Sequence, residues 1–298
     1  MAPASRAIVA ARPVPSAWRA YAGLLLRRRR GLAAGSELPR IERSLDGFTL
    51  APGWLEAYRD IVGLPPDARA PLPPLALQVA AAPLHLALLA DAAFPFRAWG
   101  LVHVVQRVQQ WESIPAAQTL SMTAFTADAR PARRGTEFDL VTEVRADSRL
   151  VWRGITTALA RGPGRADAPL SRTETVADSA LELTSRIALI PVPEDTGRRY
   201  AAIAGDLNPI HQHALLARPF GFERAIVHGT WTLARALAAA GWPTTPAFEL
   251  EARFRRPVLL PSTIEVMARR SAQGRELLVS STERVEPHLQ ARLLRGDV

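Results

Sequence analysis

Between Tyr200 and Gly229 the chain collects the residues best suited to chemistry: Tyr200, Gly205, Asp206, Asn208, Pro209 and His211, then His228 and Gly229. Asp206 and His211 stand five positions apart on a segment that Gly205 and Pro209 shape into a turn. A carboxylate and an imidazole holding one water between them can take a proton from it and deliver one elsewhere, which is general acid–base catalysis. His211 is the expected proton acceptor, because imidazole changes charge near neutral pH. Asp206 is expected to orient the water and share in proton delivery. Gly229 opens a stretch rich in alanine and leucine that reads as a helix. Amides at a helix start lack intrahelical acceptors and lie at the positive end of the dipole, so the Gly229 N–H is the candidate donor to an oxyanion. Having no side chain, Gly229 also permits close approach of a carbonyl. Tyr200, Gly205, Asn208 and Pro209 are expected to orient and stiffen the reactive loop.

The elements that must position these residues are laid out twice. Arg107–Met122 aligns with Arg253–Met267, with Arg107 and Pro115 each falling 146 positions before Arg253 and Pro261. Each copy reads as a strand, a turn at proline and a second strand. Tyr58–Leu64 likewise aligns with Tyr200–Asp206 at an offset of 142. In that alignment Leu64 stands where the second copy has Asp206, and no histidine follows at the matching distance. One active site per chain is therefore expected, with the first copy as scaffold and as a wall for the substrate. Helices are expected at Pro83–Ala90 and from Gly229, and strands around Phe138–Val144, Leu150–Ile155, Glu276–Val279 and His288–Leu293. Strands that follow a helix without regular alternation indicate an α+β fold. The expected organisation is a basic arm over 1–38, a first repeat over 39–165, a linker over 166–178 and a catalytic repeat over 179–298.

Composition narrows the classes. A chain of 298 residues can bury one large or two medium cores. It has no cysteine, which excludes disulfides, thiolate catalysis and zinc ribbons and fits a reducing cytoplasm. The formal net charge is +9, but all 37 basic residues are arginine. With abundant alanine and proline, that bias reads as composition of the genome, and no nucleic-acid function is expected. A positive surface instead suits acidic partners, such as the phosphates of coenzyme A or an acidic carrier protein. Leu24–Leu26 followed by Arg27–Arg30 has the wrong order for a secretion signal, and no apolar run is long enough to span a membrane. Arg253, Arg255 and Arg256 form a basic strand, read as a solvated face with phosphate contact as the second choice. His213, two positions beyond His211, could join it and Asp206 in a metal set. The preferred reading makes His213 an ordinary polar position, with no metal and no cofactor. His228 is expected to secure the loop, and Trp99, Trp111 and Trp152 to pack the first repeat.

The run Tyr200, Gly205, Asp206, Asn208, Pro209, Ile210, His211, followed by Phe220-Gly221-Phe222 and Ile226-Val227-His228-Gly229, resembles the signature of the MaoC-like (R)-specific enoyl hydratases and 3-hydroxyacyl-thioester dehydratases. The whole arrangement is similar to the double-hotdog dehydratases of actinobacteria, including the mycobacterial ones. The resemblance implies two fused hotdog folds, each a long helix wrapped by an antiparallel sheet. It implies reversible hydration of trans-2-enoyl thioesters of coenzyme A or acyl carrier protein to (3R)-hydroxyacyl thioesters, in fatty-acid or related lipid metabolism. A monomeric pseudo-dimer and a homodimer are both compatible with it. Two other activities use the same features: thioester hydrolysis, with water attacking the carbonyl, and binding of an acyl thioester without turnover. The presence of both Asp206 and His211 argues against the last.

Overall fold

A computed structural model describes residues 29, 31–33, 36–164, 185–241, 246–271, 274–282 and 284–295. The expected linker and most of the basic arm lie outside them. In the first half, strand β1 (Glu42–Phe48) precedes helices α1 (Pro52–Val62), α2 (Ala76–Ala80) and α3 (Ala82–Ala90). Strands β2 (Leu101–Gln110), β3 (Leu120–Ala132), β4 (Gly135–Ala146) and β5 (Arg149–Arg161) follow. The second half repeats the plan with β6 (Ser185–Val192), α4 (Thr196–Ala204), the short α5 (Ala214–Ala217) and α6 (Gly229–Ala239). It ends with β7 (Phe248–Phe254), β8 (Ser262–Ser271), β9 (Gly274–Ser281) and β10 (Arg284–Arg295).

These strands form one antiparallel sheet in the order β1-β3-β4-β5-β2-β7-β10-β9-β8-β6, which reads the same inward from either edge. The duplication in the sequence is thus a duplication in space, and the copies meet where β2 pairs with β7. Arg107 lies opposite Glu251 in that seam. Arg107 Nε reaches a Glu251 carboxylate oxygen at 2.7 Å, and Arg253 Nη2 reaches the other at 2.7 Å. The two arginines that anchor the sequence alignment therefore grip one acid at the join.

The helices that correspond in the alignment also end alike. Helix α1 stops at Gly63 with φ of 73° and α4 at Gly205 with φ of 70°, the left-handed conformation that glycine adopts without a Cβ penalty. Helix α6 buries Trp231, Leu233, Ala234 and Leu237 in the principal core, and full burial of each large apolar side chain is worth roughly 1.5–3 kcal/mol. Its Trp231 indole N–H donates to the Ile61 carbonyl at 2.8 Å, joining the second half to the first. The first half departs from the expected single long helix. Its helix is split at Ala81 into α2 and α3, and Pro83 stands in the first turn of the second piece. In an unbroken helix Pro83 would clash with the carbonyl four residues earlier and donate nothing to it. Of the three tryptophans, Trp152 is buried and donates to the Pro74 carbonyl at 3.1 Å, whereas Trp111 stays exposed. Trp99 stacks on Phe220 of the other half, with ring centroids 5.9 Å apart.

Candidate active site

The reactive loop is built by local hydrogen bonds that its residue types supply. Gly205 turns the chain out of α4, its N–H still bonded to the Ala201 carbonyl at 2.9 Å. Asp206 Oδ1 then accepts the Asn208 backbone N–H at 3.1 Å, an Asx turn. Asn208 in turn caps a single 3-10 turn, Pro209–His211, its side chain accepting from Ile210 N at 3.4 Å. Pro209 sits at the start of that turn, where a missing N–H does no harm. One Asp206 oxygen is thereby committed to the turn, leaving Oδ2 to face the interior.

Two imidazoles meet that oxygen. His211 Nε2 lies 3.9 Å from Asp206 Oδ2 and His228 Nε2 lies 3.8 Å from it. His211 Nδ1 is 2.8 Å from the Ile226 carbonyl, which can only accept, so Nδ1 carries the proton and Nε2 presents a lone pair. His228 Nε2 is 3.2 Å from the Asp206 carbonyl and by the same argument carries its proton there. The two rings stack with centroids 3.6 Å apart. Both are buried, while the Asp206 side chain is 43% exposed and opens the site to solvent. Burial lowers the His211 pKa below the ordinary value, opposed by the Asp206 charge and the Ile226 bond. Burial lowers the His228 pKa to about 3, assisted by His211 beside it. Both rings are therefore neutral at pH 7. The separation between Nε2 and Oδ2 is too long for a direct hydrogen bond and suits an oxygen that bonds to both.

Helix α6 brings the oxyanion candidate. Its first turn follows His228 directly, so the amide of Gly229 lies beside the imidazole pair. A Cβ built on Gly229 would stand 2.9 Å from the Phe254 ring, so glycine is required for α6 to pass this strand. Tyr200, fully buried on α4, donates its hydroxyl hydrogen to Thr230 Oγ1 at 3.1 Å, and its ring lies 5.0 Å from that of His228. It thus holds the start of α6 against the loop.

The chain resembles known proteins in the same way. Residues 172–286 match the MaoC like domain family. A 3-hydroxyacyl-thioester dehydratase X from Mycobacterium tuberculosis is 30% identical over 260 residues, covering 86% of this chain and 89% of that protein. This chain belongs to the MaoC-like dehydratase family. It is a hydro-lyase with a double-hotdog fold. The crystal structure of HtdX from Mycobacterium tuberculosis superposes with a TM-score of 0.75 at 26% identity, covering 86% of this chain and 100% of that one. A second Mycobacterium tuberculosis protein, described as a double hotdog fold, shares the fold at a TM-score of 0.54 and 18% identity, covering 87% of this chain and 96% of that one.

Within this MaoC-like site the other candidate residues lie apart. Arg253 is held by Glu251, and Arg255 Nε and Nη2 bond to Gln290 Oε1 at 3.2 and 3.1 Å; Arg256 is exposed. His213 points away from the pair and caps α5, accepting from Leu215 N at 3.2 Å. The histidine that joins Asp206 and His211 is His228, and among the described residues the ligand atoms of these three lie within 4.8 Å of one another. A divalent cation would fit such a set only if His228 Nε2 gave up the proton it donates to the Asp206 carbonyl.

Gly197 is a contributor that sequence reasoning missed. A Cβ there would lie 2.2 Å from the His211 carbonyl oxygen, a backbone atom that cannot swing aside. Its only signal is a glycine in the first turn of a helix that ends in the motif. Gly197→Ala is expected to push the His211 turn away from Ile226. It should reduce kcat/KM roughly 10- to 100-fold, a loss of that order following from misplacement of a reacting group by about 1 Å. Stability should fall by about 1–3 kcal/mol from overpacking. Steady-state kinetics with a thermal melt checks both, and an unaltered kcat/KM rejects this role for Gly197.

Proposed function

We propose that the chain hydrates trans-2-enoyl thioesters of coenzyme A or acyl carrier protein to (3R)-hydroxyacyl thioesters, and dehydrates them in reverse, in cytoplasmic fatty-acid or related lipid metabolism. The observation carrying this reading is the pair of acceptors, His211 Nε2 and Asp206 Oδ2, 3.9 Å apart with neutral imidazole on one side. A water donating one hydrogen to each presents its oxygen lone pair to C3. As the C3–O bond forms, His211 takes one water proton and the double-bond electrons move toward the thioester. The negative charge arriving on the carbonyl oxygen is met by the Gly229 N–H and the α6 dipole. Delivery of a proton to C2, shared by the Asp206 and His211 pair, completes the addition; dehydration runs the same steps backwards. His228 keeps Asp206 in place through its backbone carbonyl.

The handedness of the hydroxyl and the nature of the thioester carrier rest on family membership and on the +9 charge. Arg253, Arg255 and Arg256 are the proposed phosphate contacts; in the structure Arg253 bonds Glu251 and Arg255 bonds Gln290. Among the described residues no helix is long and apolar enough to cross a membrane. The two repeats supply within one chain the paired arrangement that a hydration site needs, in a monomer or in each copy of a homodimer.

The test follows absorbance of the conjugated enoyl thioester with crotonyl-CoA and a longer trans-2-enoyl-CoA, beside a free-thiol assay. Loss of the band without thiol release is the expected result. Thiol release would make the chain a thioesterase, and tight binding without either change would make it an acyl-thioester-binding protein.

A further inference from the structure

We propose that Thr230 is a catalytic residue of this site: its hydroxyl donates a second hydrogen bond, beside the Gly229 N–H, to the thioester oxygen as that oxygen gathers negative charge. Tyr200 aims and polarises the hydroxyl. The proposal deepens the hydration reading above and rests on it.

Thr230 is the second residue of α6, directly after Gly229. Both are half-buried, whereas Trp231 and Thr232, the next two residues, are buried. In the first turn, the surface that a substrate can reach thus belongs to Gly229 and Thr230. His228 precedes α6 without making a side-chain cap bond, so the amides of that turn are not consumed by a cap. The Tyr200 hydroxyl donates its hydrogen to Thr230 Oγ1 at 3.1 Å. Burial pushes the Tyr200 pKa well above its ordinary value, with the Thr230 bond opposing and the Asp206 charge assisting, so the phenol keeps that hydrogen. Thr230 Oγ1 therefore accepts from Tyr200 and retains its own hydrogen, for which no acceptor stands among the described residues. Thr232 differs: its hydroxyl donates back to the His228 carbonyl at 3.3 Å and is spent. The hydrogen that Thr230 keeps lies at the reactive pair, because the Tyr200 ring is 5.0 Å from that of His228, which stacks on His211 at 3.6 Å.

The other repeat shows what the tyrosine by itself requires. Tyr58 is the counterpart of Tyr200 at the offset of 142 and is equally buried, and its hydroxyl has no hydrogen-bond partner among the described residues. Helix α2, which opens the first repeat's split helix, has Leu77 as its second residue where α6 has Thr230. The fold thus tolerates this tyrosine without a threonine, and the threonine stands only in the repeat that carries Asp206 and His211. A hydroxyl needed merely to satisfy a buried phenol would stand in both.

The use for it is electrostatic. When the water oxygen bonds to C3, the electrons of the C2–C3 double bond move onto the thioester oxygen. The Gly229 amide gives that oxygen one donor, and preorganised donors aimed at developing charge act where water is excluded. A hydroxyl that already accepts from a phenol donates more strongly, since hydrogen bonds in a chain polarise one another. The hydrogen stays on Thr230 Oγ1 throughout. Its bond strengthens only as charge arrives, so it lowers the barrier more than it tightens substrate binding.

The experiment follows crotonyl-CoA hydration by wild type, Thr230→Val, Thr230→Ser and Tyr200→Phe. Thr230→Val keeps the side-chain shape and is expected to lower kcat about 10²-fold with KM little changed, the effect of removing one oxyanion donor. Thr230→Ser should stay within a few-fold of wild type. Tyr200→Phe leaves Thr230 its hydrogen and should cost less than Thr230→Val. A second readout needs no turnover: sorboyl-CoA, a conjugated dienoyl thioester, is bound to Asp206→Asn, and its absorption moves to longer wavelength when the carbonyl is polarised. That shift should shrink when Thr230→Val is added. A Thr230→Val kcat within a few-fold of wild type, a Tyr200→Phe loss as large as that of Thr230→Val, or a sorboyl shift unchanged by Thr230→Val overturns the proposal. Should Thr230→Val fail to fold by circular dichroism, Thr230→Ala takes its place. If no enoyl thioester is hydrated, a shift that depends on Thr230 counts against the hydration reading and not against Thr230. If hydration proceeds and the shift ignores Thr230, only the role of Thr230 falls.

Discussion

Asp206→Asn and His211→Gln are each expected to lower enoyl-thioester hydration by about 10²–10⁴-fold, the range spanned by a positioned acid–base group. The aspartate change is the sharper test because its geometry survives. An asparagine oxygen can still accept the Asn208 N–H that now bonds Asp206 Oδ1 at 3.1 Å, so the loop keeps its turn. Its amide nitrogen then faces His211 where Oδ2 stood, offering a donor to a water that needs an acceptor. In His211→Gln the lone pair that Nε2 presents is lost, together with the Ile226 bond that aims it. Circular dichroism and melting temperature should stay near wild type for Asp206→Asn, whose side chain is partly exposed. Turnover within a few-fold of wild type in both folded variants would remove these residues from the mechanism.

Mild acid is expected to unfold the protein. Burial lowers the pKa of His85 and His103 to about 4 and of His228 to about 3, and it lowers His211 as well. Above the ordinary value of 6.5 these rings are neutral in both folded and unfolded chains, and the stability they permit is fully present. As pH falls below that value the unfolded chain binds protons that the folded chain refuses, so stability drops until the folded pKa is reached. Each such histidine removes about 1 kcal/mol per pH unit in that window. His211 and His228, nearly sealed, weigh most; His85 and His103, which keep some surface, weigh less. Together the loss between pH 6.5 and 4.5 is on the order of several kcal/mol, a large part of the ~5–15 kcal/mol that holds a domain. Asp91 and Glu251 have lowered pKa values, so their contributions are lost only as pH falls through the carboxylate range. Melting temperature measured from pH 8 to 4.5 should fall steeply below about 6.5. A flat profile down to pH 5 would mean that the imidazoles are hydrated in the folded chain.

Two features were legible in the sequence because they are made locally. The reactive loop is one: left-handed Gly205, the Asx turn of Asp206, the cap of Asn208 and Pro209 at the turn's start all lie within six consecutive residues. Each is a preference of one residue type for one backbone geometry, so types and spacing suffice. The duplication is the other, since matched strand–proline–strand patterns fold alike; that the copies join through β2 and β7 is seen only in the sheet. The split of the first helix was legible in part, through Pro83.

Tertiary structure alone decided what meets that loop and how it is charged. His228 lies seventeen positions from His211, and only the return of the chain into α6 stacks the two rings. Gly197 matters because α4 crosses the His211 carbonyl. Arg253 read as a free basic position until the seam supplied Glu251. The neutrality of the imidazoles likewise depends on desolvation, which sums over every element packed around them. Local backbone preferences are properties of a few adjacent residues and can be read from them; burial, stacking and ion pairing belong to residues brought together by the fold.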